Sequence, residues 1–540
     1  MTDAAYRANA VGVPCARRHV SDSVSSYIDY LGVKWLMLSA IPQRWLVLFA
    51  VMLAFLPVVI DMTILHVAVP VLTPALGATG TEVLWIIDIY PLLMAGLLVP
   101  MGTLADRVGT RRVLLTGLSV FGVASLLAAF STTPAMLIGA RVLLAMGGSM
   151  IMPCVLGVIR KTFEDERERA MALGLWGTVG AAGAAVGPLI GGALLEHYWW
   201  GSVFLINVPI MLVVAPVVYG LLPRREATTP GKWSFGQALI LLVGIISVVY
   251  GIKSGMGEGQ PLWRTGLVLF GGLVLLAWFA RIQLRSVMPM LDLSLFRHPA
   301  IVAGMVMALV AAGALAGVEL TLAQELQYVL GKTPLQAGLF MVPIMAAAAV
   351  GGPVAGYLSN RFGLRLVASL SMAFAAAALG YLAQADLHAP NWTVPTALAV
   401  LGLTLSIGLT ASSIAIMGAV DASKGGAAGS LEATGYELGS GLGITLFGVF
   451  MASIYSSTIV LPPDLEPALG AQAARSMSDS VVVAQGLDAD KADVLIMAAK
   501  AAFSTTHSIL LTAAAILIAL LTVVVFLMLG SHSDKVGAHE

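Results

Sequence analysis

Gly102-Thr-Leu-Ala-Asp106-Arg107-Val-Gly109-Thr-Arg111-Arg112 stands between two long apolar runs, and a weaker copy, Gly356-Tyr-Leu-Ser-Asn360-Arg361-Phe-Gly363-Leu-Arg365, stands between two others. In each copy glycines permit close turns, and an acid or its amide is held among bases where one helix ends and the next begins. Physically this is a charge latch between helices. Two copies at matching places in two halves form an internal repeat, and in repeat-built transporters the substrate path lies at the repeat interface.

The composition agrees with a membrane location for those runs. Of 540 residues 59% are hydrophobic and only 11% charged, with mean hydropathy +0.92, whereas soluble domains carry about 25% charged residues. So little polar side chain cannot cover a water-facing surface. Bases and acids balance at 29 each, which leaves no bulk field for nucleic acid. Cys15 and Cys154 lie in a polar tail and an apolar segment, so neither a disulfide framework nor a paired-thiol metal site is expected. The first 44 residues contain no run long enough for a secretory signal and read as a tail, with Met37 as an alternative start.

Fourteen runs are long enough to cross the hydrocarbon core as helices, at about 20 apolar residues each. The expected fold is an all-α polytopic membrane protein. Its parts are an N-terminal tail (1–44), a first six-helix bundle (45–222), two linker helices (223–299), a second six-helix bundle (300–530) and a short C-terminal tail (531–540). Lys and Arg are retained on the cytoplasmic side. With the N-terminal tail inside, 22 bases fall in inside segments and six outside (Lys253, Arg264, Lys332, Arg475, Lys491 and Lys500), and Arg141 alone stays within a span. Both termini are therefore expected in the cytoplasm. The long outside connection 455–501 reads either as a helical hairpin over the outer mouth or as an acidic loop.

An ionisable side chain at the bilayer centre costs about 2.5 to 3.5 kcal/mol on insertion scales, so each needs a partner or a task. Asp61 in span one and Glu437 in span thirteen are candidates for binding either a proton or a lipophilic cation, since a low-dielectric pocket favours the neutral acid. The plainer reading makes Asp61 an ion-pair partner of Arg141. Asp88 and Glu432 admit both roles. Trp85, three residues from Asp88, would let a cation meet ring and carboxylate together. His66 reads as a proton relay or a hydrogen-bonded core histidine. Glu319 and Glu325 fall at the outer end of span nine, within expected reach of water. One proton exchanged for one monovalent cation is electroneutral, so use of the membrane potential calls for at least two acids, with Asp61 and Glu437 in opposite halves.

The 102–112 stretch resembles the loop signature of the major facilitator superfamily. Span five adds Gly174, Gly183, Gly187-Pro188 and Gly191-Gly192, spaced like that superfamily's antiporter signature and followed by Trp199, Phe204 and Ile206-Asn207-Val-Pro209; glycines so spaced also serve close helix packing. From about residue 40 to 530 the chain is similar to the fourteen-helix drug/proton antiporters of the QacA and SmvA type. Asp61-Met-Thr-Ile-Leu, Leu84-Trp85-Ile-Ile-Asp88-Ile-Tyr90 and Tyr436-Glu437-Leu-Gly439 carry the likeness, and His66 and Gln324-Glu325-Leu-Gln327 lean toward the SmvA side. Two departures are Arg141-Val-Leu-Leu144-Ala145, where the superfamily has Arg-x-x-Gln-Gly, and Ala346 to Ala349, where some relatives carry an acid. The resemblance implies a monomeric efflux antiporter of the bacterial inner membrane. It would exchange lipophilic cations (quaternary ammonium compounds, biguanide-type antiseptics, dyes) for protons, with no cofactor, nucleotide or metal.

Other functions leave particular marks. An exporter of an endogenous amphiphile would share the fold. A nucleotide-driven pump would need a phosphate loop, and Gly331-Lys332-Thr333 lacks the earlier glycine, since Leu326 stands there. A channel would show flux independent of a proton gradient.

Overall fold

The computed structural model describes residues 43–536 apart from 164, 224–232, 257–260, 287–288, 388–391 and 421–424. Met37 and most of the N-terminal tail, together with Arg224, Arg225, Lys232 and Lys424, lie outside the described residues. Fourteen helices are long and apolar enough to cross a membrane, and no strand occurs among the described residues. In chain order they are α1 (Gln43–Leu76), α2 (Gly80–Val108), α3 (Thr110–Ala129), α4 (Pro134–Thr162), α5 (Glu166–His197), α6 (Ser202–Leu221), α7 (Phe235–Met256), α8 (Leu262–Arg285), α9 (Pro299–Gln324), α10 (Pro334–Phe362), α11 (Leu364–Leu382), α12 (Thr393–Gly418), α13 (Gly425–Thr458) and α14 (Ala489–Val536). Helices suit these sequences because only they satisfy every backbone donor and acceptor within the segment.

One apolar core gathers residues from Val47 to Leu222 and a second gathers residues from Ala300 to Leu529. The helices α7 and α8 pair with each other, and α7 packs along both α2 and α13. The repeat is visible in detail. Thr79 and Glu82 form a capping box at the start of α2, and Thr333 and Gln336 form one at the start of α10; each side chain satisfies the other residue's otherwise orphaned N–H. Both helices end at a glycine with positive φ, Gly109 at +107° and Gly363 at +82°, a conformation costly for other residues. Arg111 then donates to the carbonyl of Tyr219 in α6 at 2.6 Å and stacks on its ring, while Arg365 donates to the carbonyl of Phe526 in α14 at 2.9 Å and stacks on that ring. In both halves, then, the loop arginine grips the sixth helix through a carbonyl and an aromatic face.

That end of the molecule is called here the basic end. At the opposite end, the connection after α13 forms two short helices, Pro467–Ala473 and Met477–Ala484, before α14 begins at Ala489. The membrane helix therefore starts well before residue 501, and the hairpin proper is shorter than the expected 455–501 loop. It is docked: Tyr455 and Tyr328 hydroxyls lie 2.8 and 3.3 Å from Ser480 and Ser478 Oγ, and a β-carbon at Gly80 would lie 3.0 Å from Ser476 Oγ.

Candidate functional site

The two bundles meet along α2 and α13 near the hairpin end. On α13, Glu437, Gly441, Thr445 and Gly448 fall at i, i+4, i+8 and i+11, which places them on one helix face. Gly448 lies against Leu84, Thr445 Oγ1 donates to Asp88 Oδ2 at 2.7 Å, and Gly441 lies against Leu92. Glu437 continues this stripe toward the middle of the molecule, fully buried, with neither carboxylate oxygen hydrogen-bonded. The opposite flank of α13 packs on α9 through Gly439 and Gly443, which abut Leu309 and Gly313.

Across the interface, in the first bundle, Asp61 and Arg141 form an ion pair with both side chains almost wholly buried. Arg141 also donates from Nε to the carbonyl of Ile86 at 3.0 Å and lies over the Tyr90 ring at 4.5 Å. One Asp61 oxygen, Oδ1, and the Tyr90 hydroxyl are left without hydrogen-bond partners. Asp61, Arg141 and Glu437 all act electrostatically on Tyr90, so this ring stands within the field of both expected acids, one from each half. Glu432 is only half-buried and is hydrogen-bonded with Ser413 of α12.

The structure corrects the reading of Lys253. Counted by sequence as an outside base, it is instead buried in the last turn of α7, 6% exposed, and Arg141 is therefore not the only base within a span. Its Nζ reaches Asp88 Oδ2 at 2.7 Å and Oδ1 at 2.8 Å and lies 3.6 Å from the Trp85 ring centroid. A cation does meet ring and carboxylate together, but here it is the chain's own lysine. Position 253 falls at the very end of the seventh apolar run, where hydropathy does not separate a loop lysine from a buried one.

A second correction concerns span nine. Glu319 and Glu325 are buried, not bathed in water. Glu319 Oε2 lies 3.3 Å from His66 Nδ1, which spans α1 and α9, and Ser504 donates to Glu325 at 2.5 Å. Thr445 and Tyr90 were also missed by sequence reasoning, although Thr445 lies eight residues from Glu437 on the same face.

The glycines of span five meet their neighbours closely. A β-carbon at Gly183 would lie 3.1 Å from Leu56, at Gly187 3.2 Å from the Ile60 carbonyl, and at Gly191 2.6 Å from Ile64, so this face seats α1. A β-carbon at Gly192 would lie 2.6 Å from Leu335 of α10 and one at Gly338 2.8 Å from the Pro188 carbonyl, whereas one at Gly174 would meet nothing within 4 Å. Among the glycines, the tightest backbone approaches between bundles thus lie toward the hairpin end. Of the 102–112 loop, a β-carbon at Gly102 would lie 3.4 Å from Pro153, and Lys161 donates to Thr110 at 2.9 Å; Asp106, Arg107 and Arg112 lie at the same basic end, Asp106 and Arg112 exposed.

These approaches make a prediction. Gly338→Val would place a branched β-carbon 2.8 Å from the Pro188 carbonyl, and overpacking of this kind costs about 1 to 3 kcal/mol. If the molecule works by closing and opening this end, that cost lowers the closed population by about 5- to 150-fold. Transport should fall accordingly with little loss of folded protein, checked by vesicle uptake and thermal unfolding in detergent. Unchanged transport would show that this contact plays no part in the cycle.

The model of the Major Facilitator Superfamily matches residues 51–323 and 317–461. The chain is 46% identical over 481 residues to the methyl viologen resistance protein SmvA of Salmonella typhimurium, covering 89% of this chain and 97% of that one. It is 35% identical over 467 residues to the multidrug efflux pump LfrA of Mycolicibacterium smegmatis, covering 86% and 92%. Among solved structures, the inward-facing, unoccupied bacterial homologue of the human lysosomal transporter Spinster aligns over 90% of this chain and 97% of its own, with TM-score 0.60 and 15% identity. That likeness is one of fold.

Proposed function

The chain belongs to the Major Facilitator Superfamily, and from that premise we propose that it is a proton-coupled exporter of lipophilic cations, among them quaternary ammonium and biguanide-type antiseptics and cationic dyes. The observation that carries this reading is Glu437, a buried carboxyl with no hydrogen-bond partner, on the helix that packs against the first bundle at the junction of the two halves. A buried carboxylate without a partner is costly. Taking a proton or taking a cation relieves that cost equally well, and a group for which the two are alternatives exchanges one for the other. The names of the relatives, resistance protein and multidrug efflux pump, support export as the direction.

In this reading the protein sits in the bacterial inner membrane with the basic end and both termini in the cytoplasm, and works as a monomer driven by the proton-motive force alone. A cation entering from the basic end displaces the proton from Glu437. Opening of the hairpin end then releases the cation outward, and protons reload Glu437 and Asp61. Selectivity is broad because one charge and apolar contact discriminate poorly among amphiphilic cations.

The test uses proteoliposomes with pH gradient and potential imposed separately. Two protons per turnover make export of a monocation electrogenic, so 100 mV adds about 2.3 kcal/mol, or about a fiftyfold concentration ratio. A dication exchanged for the same two protons moves no net charge. Export of the monocation should therefore respond to either gradient, and export of the dication to the pH gradient alone. A monocation indifferent to potential would refute the two-proton mechanism, and indifference to both gradients would refute proton coupling.

A further inference from the structure

Lys253 stands where a substrate cation would. Its ammonium is held by both oxygens of Asp88 at 2.7 and 2.8 Å and by the face of Trp85 at 3.6 Å. A carboxylate and an indole face enclosing one ammonium is the composition by which aromatic sites recognise alkylammonium groups. Three separate parts of the molecule build it. Trp85 and Asp88 come from the first bundle, Thr445 comes from the second through its 2.7 Å hydrogen bond to Asp88, and the lysine comes from linker helix α7.

We propose that Trp85, Asp88 and Thr445 form a second ammonium site near the hairpin end, suited to alkylammonium and quaternary ammonium heads, and that Lys253 is a tethered cation that fills it while that end is closed. The inference deepens the proposed function and takes from it only the identity of the travelling cation; the site itself stands on its geometry. Asp88 and Glu437 face the same interface, and Thr445 is eight residues beyond Glu437, a separation of about 12 Å along the helix at 1.5 Å per residue. A cation leaving Glu437 toward the hairpin end therefore meets Asp88 next. When α2 and α13 part, Thr445 withdraws with α13, and Asp88 keeps a partner throughout by exchanging one ammonium for another. Lys253 lies in the last turn of its helix, so its four-carbon stem can carry the displaced charge to the helix end and water. Its return expels the cation and bars re-entry, which gives the exit a direction.

Two measurements test this. Purified Lys253→Ala protein should bind one radiolabelled ethylammonium per chain that wild type does not bind, and Lys253→Ala/Asp88→Asn should lose it. No additional binding to Lys253→Ala would overturn the proposal. The second measurement uses wild-type protein and so needs no variant to fold. Acylation of Lys253 by an amine-reactive ester, read by mass spectrometry, should rise about fivefold or more with saturating dodecyltrimethylammonium as the tethered population shifts. Unchanged acylation in vesicles that do export dodecyltrimethylammonium would equally overturn it. Vesicles that export none of this cation would count against the proposed function instead, and the ethylammonium result would still decide the site.

Discussion

Glu437→Gln is expected to reduce dye export about a hundredfold or more while leaving the protein folded. The amide is nearly the shape of the acid but neither takes up a proton nor attracts a cation. Charge pairs at close range in desolvated sites contribute about 1.5 to 7 kcal/mol by double-mutant cycles, and the middle of that range, about 4 kcal/mol, exceeds the 2.7 kcal/mol or so that a hundredfold requires. Folding should be spared because the wild-type carboxyl has no hydrogen bond to lose. Binding carries a further signature. A cation that displaces a proton binds more tightly as pH rises, so the wild type should show this dependence and Glu437→Gln should show it blunted. Glu437→Asp keeps the charge and withdraws it by one methylene, so it should keep the pH dependence at reduced affinity. Glu432→Gln is the control, since Glu432 is half-buried and already bonded with Ser413. Export undiminished in Glu437→Gln would remove the main support of the proposed mechanism.

The fold was legible because the membrane imposes one solution. Fourteen apolar runs and a repeated glycine and arginine loop were readable from period and length, and the helices appear where those runs lie. Asp61 and Glu437 were legible for a related reason, since a charge in an apolar run announces itself. What escaped is which charges pair. Lys253 lies so near the end of its run that hydropathy cannot tell a loop lysine from a buried one, and only the packing of α7 along α2 brings it to Asp88. Glu319 and Glu325 have the same origin. They were placed at a water-reachable helix end, whereas the helix continues through Val329 under the docked hairpin and both side chains are covered. Tyr90 was legible only as part of the Leu84–Tyr90 stretch, because an uncharged ring in an apolar run does not announce that Arg141 will lie over it. The acids within the spans are thus partly neutralised by the chain itself. Asp88 has Lys253 and Asp61 has Arg141, so among these three acids Glu437 is the one without a basic partner.

The Asp61–Arg141 pair separates a lock from a coupling acid through a double mutant. Arg141→Met alone leaves a buried carboxylate facing no counter-charge, and breaking a buried pair from one side costs about 3 to 5 kcal/mol. It should lower thermal stability sharply. Asp61→Asn leaves the guanidinium with the Ile86 carbonyl and the Tyr90 face, a smaller loss. The combination Asp61→Asn/Arg141→Met removes both charges, and replacing a buried pair by neutral groups is often neutral or stabilising, so stability should return to about the wild-type value. Export then decides. If the pair only pins α1 to α4, restoring stability restores transport. If Asp61 takes up a proton in each cycle, as its free Oδ1 allows, the double mutant stays inactive, about a hundredfold below wild type, because neither asparagine nor methionine exchanges a proton at this centre. The second outcome is the one expected. A buried arginine opposite the acid suits it for release: when the proton leaves Asp61 the guanidinium is already in place, so the carboxylate never stands without a counter-charge in the apolar core. Glu437 has no such arginine and relies on the travelling cation instead. The two acids therefore divide the work by their neighbours, with Asp61 exchanging protons against a fixed base and Glu437 exchanging them against the cargo.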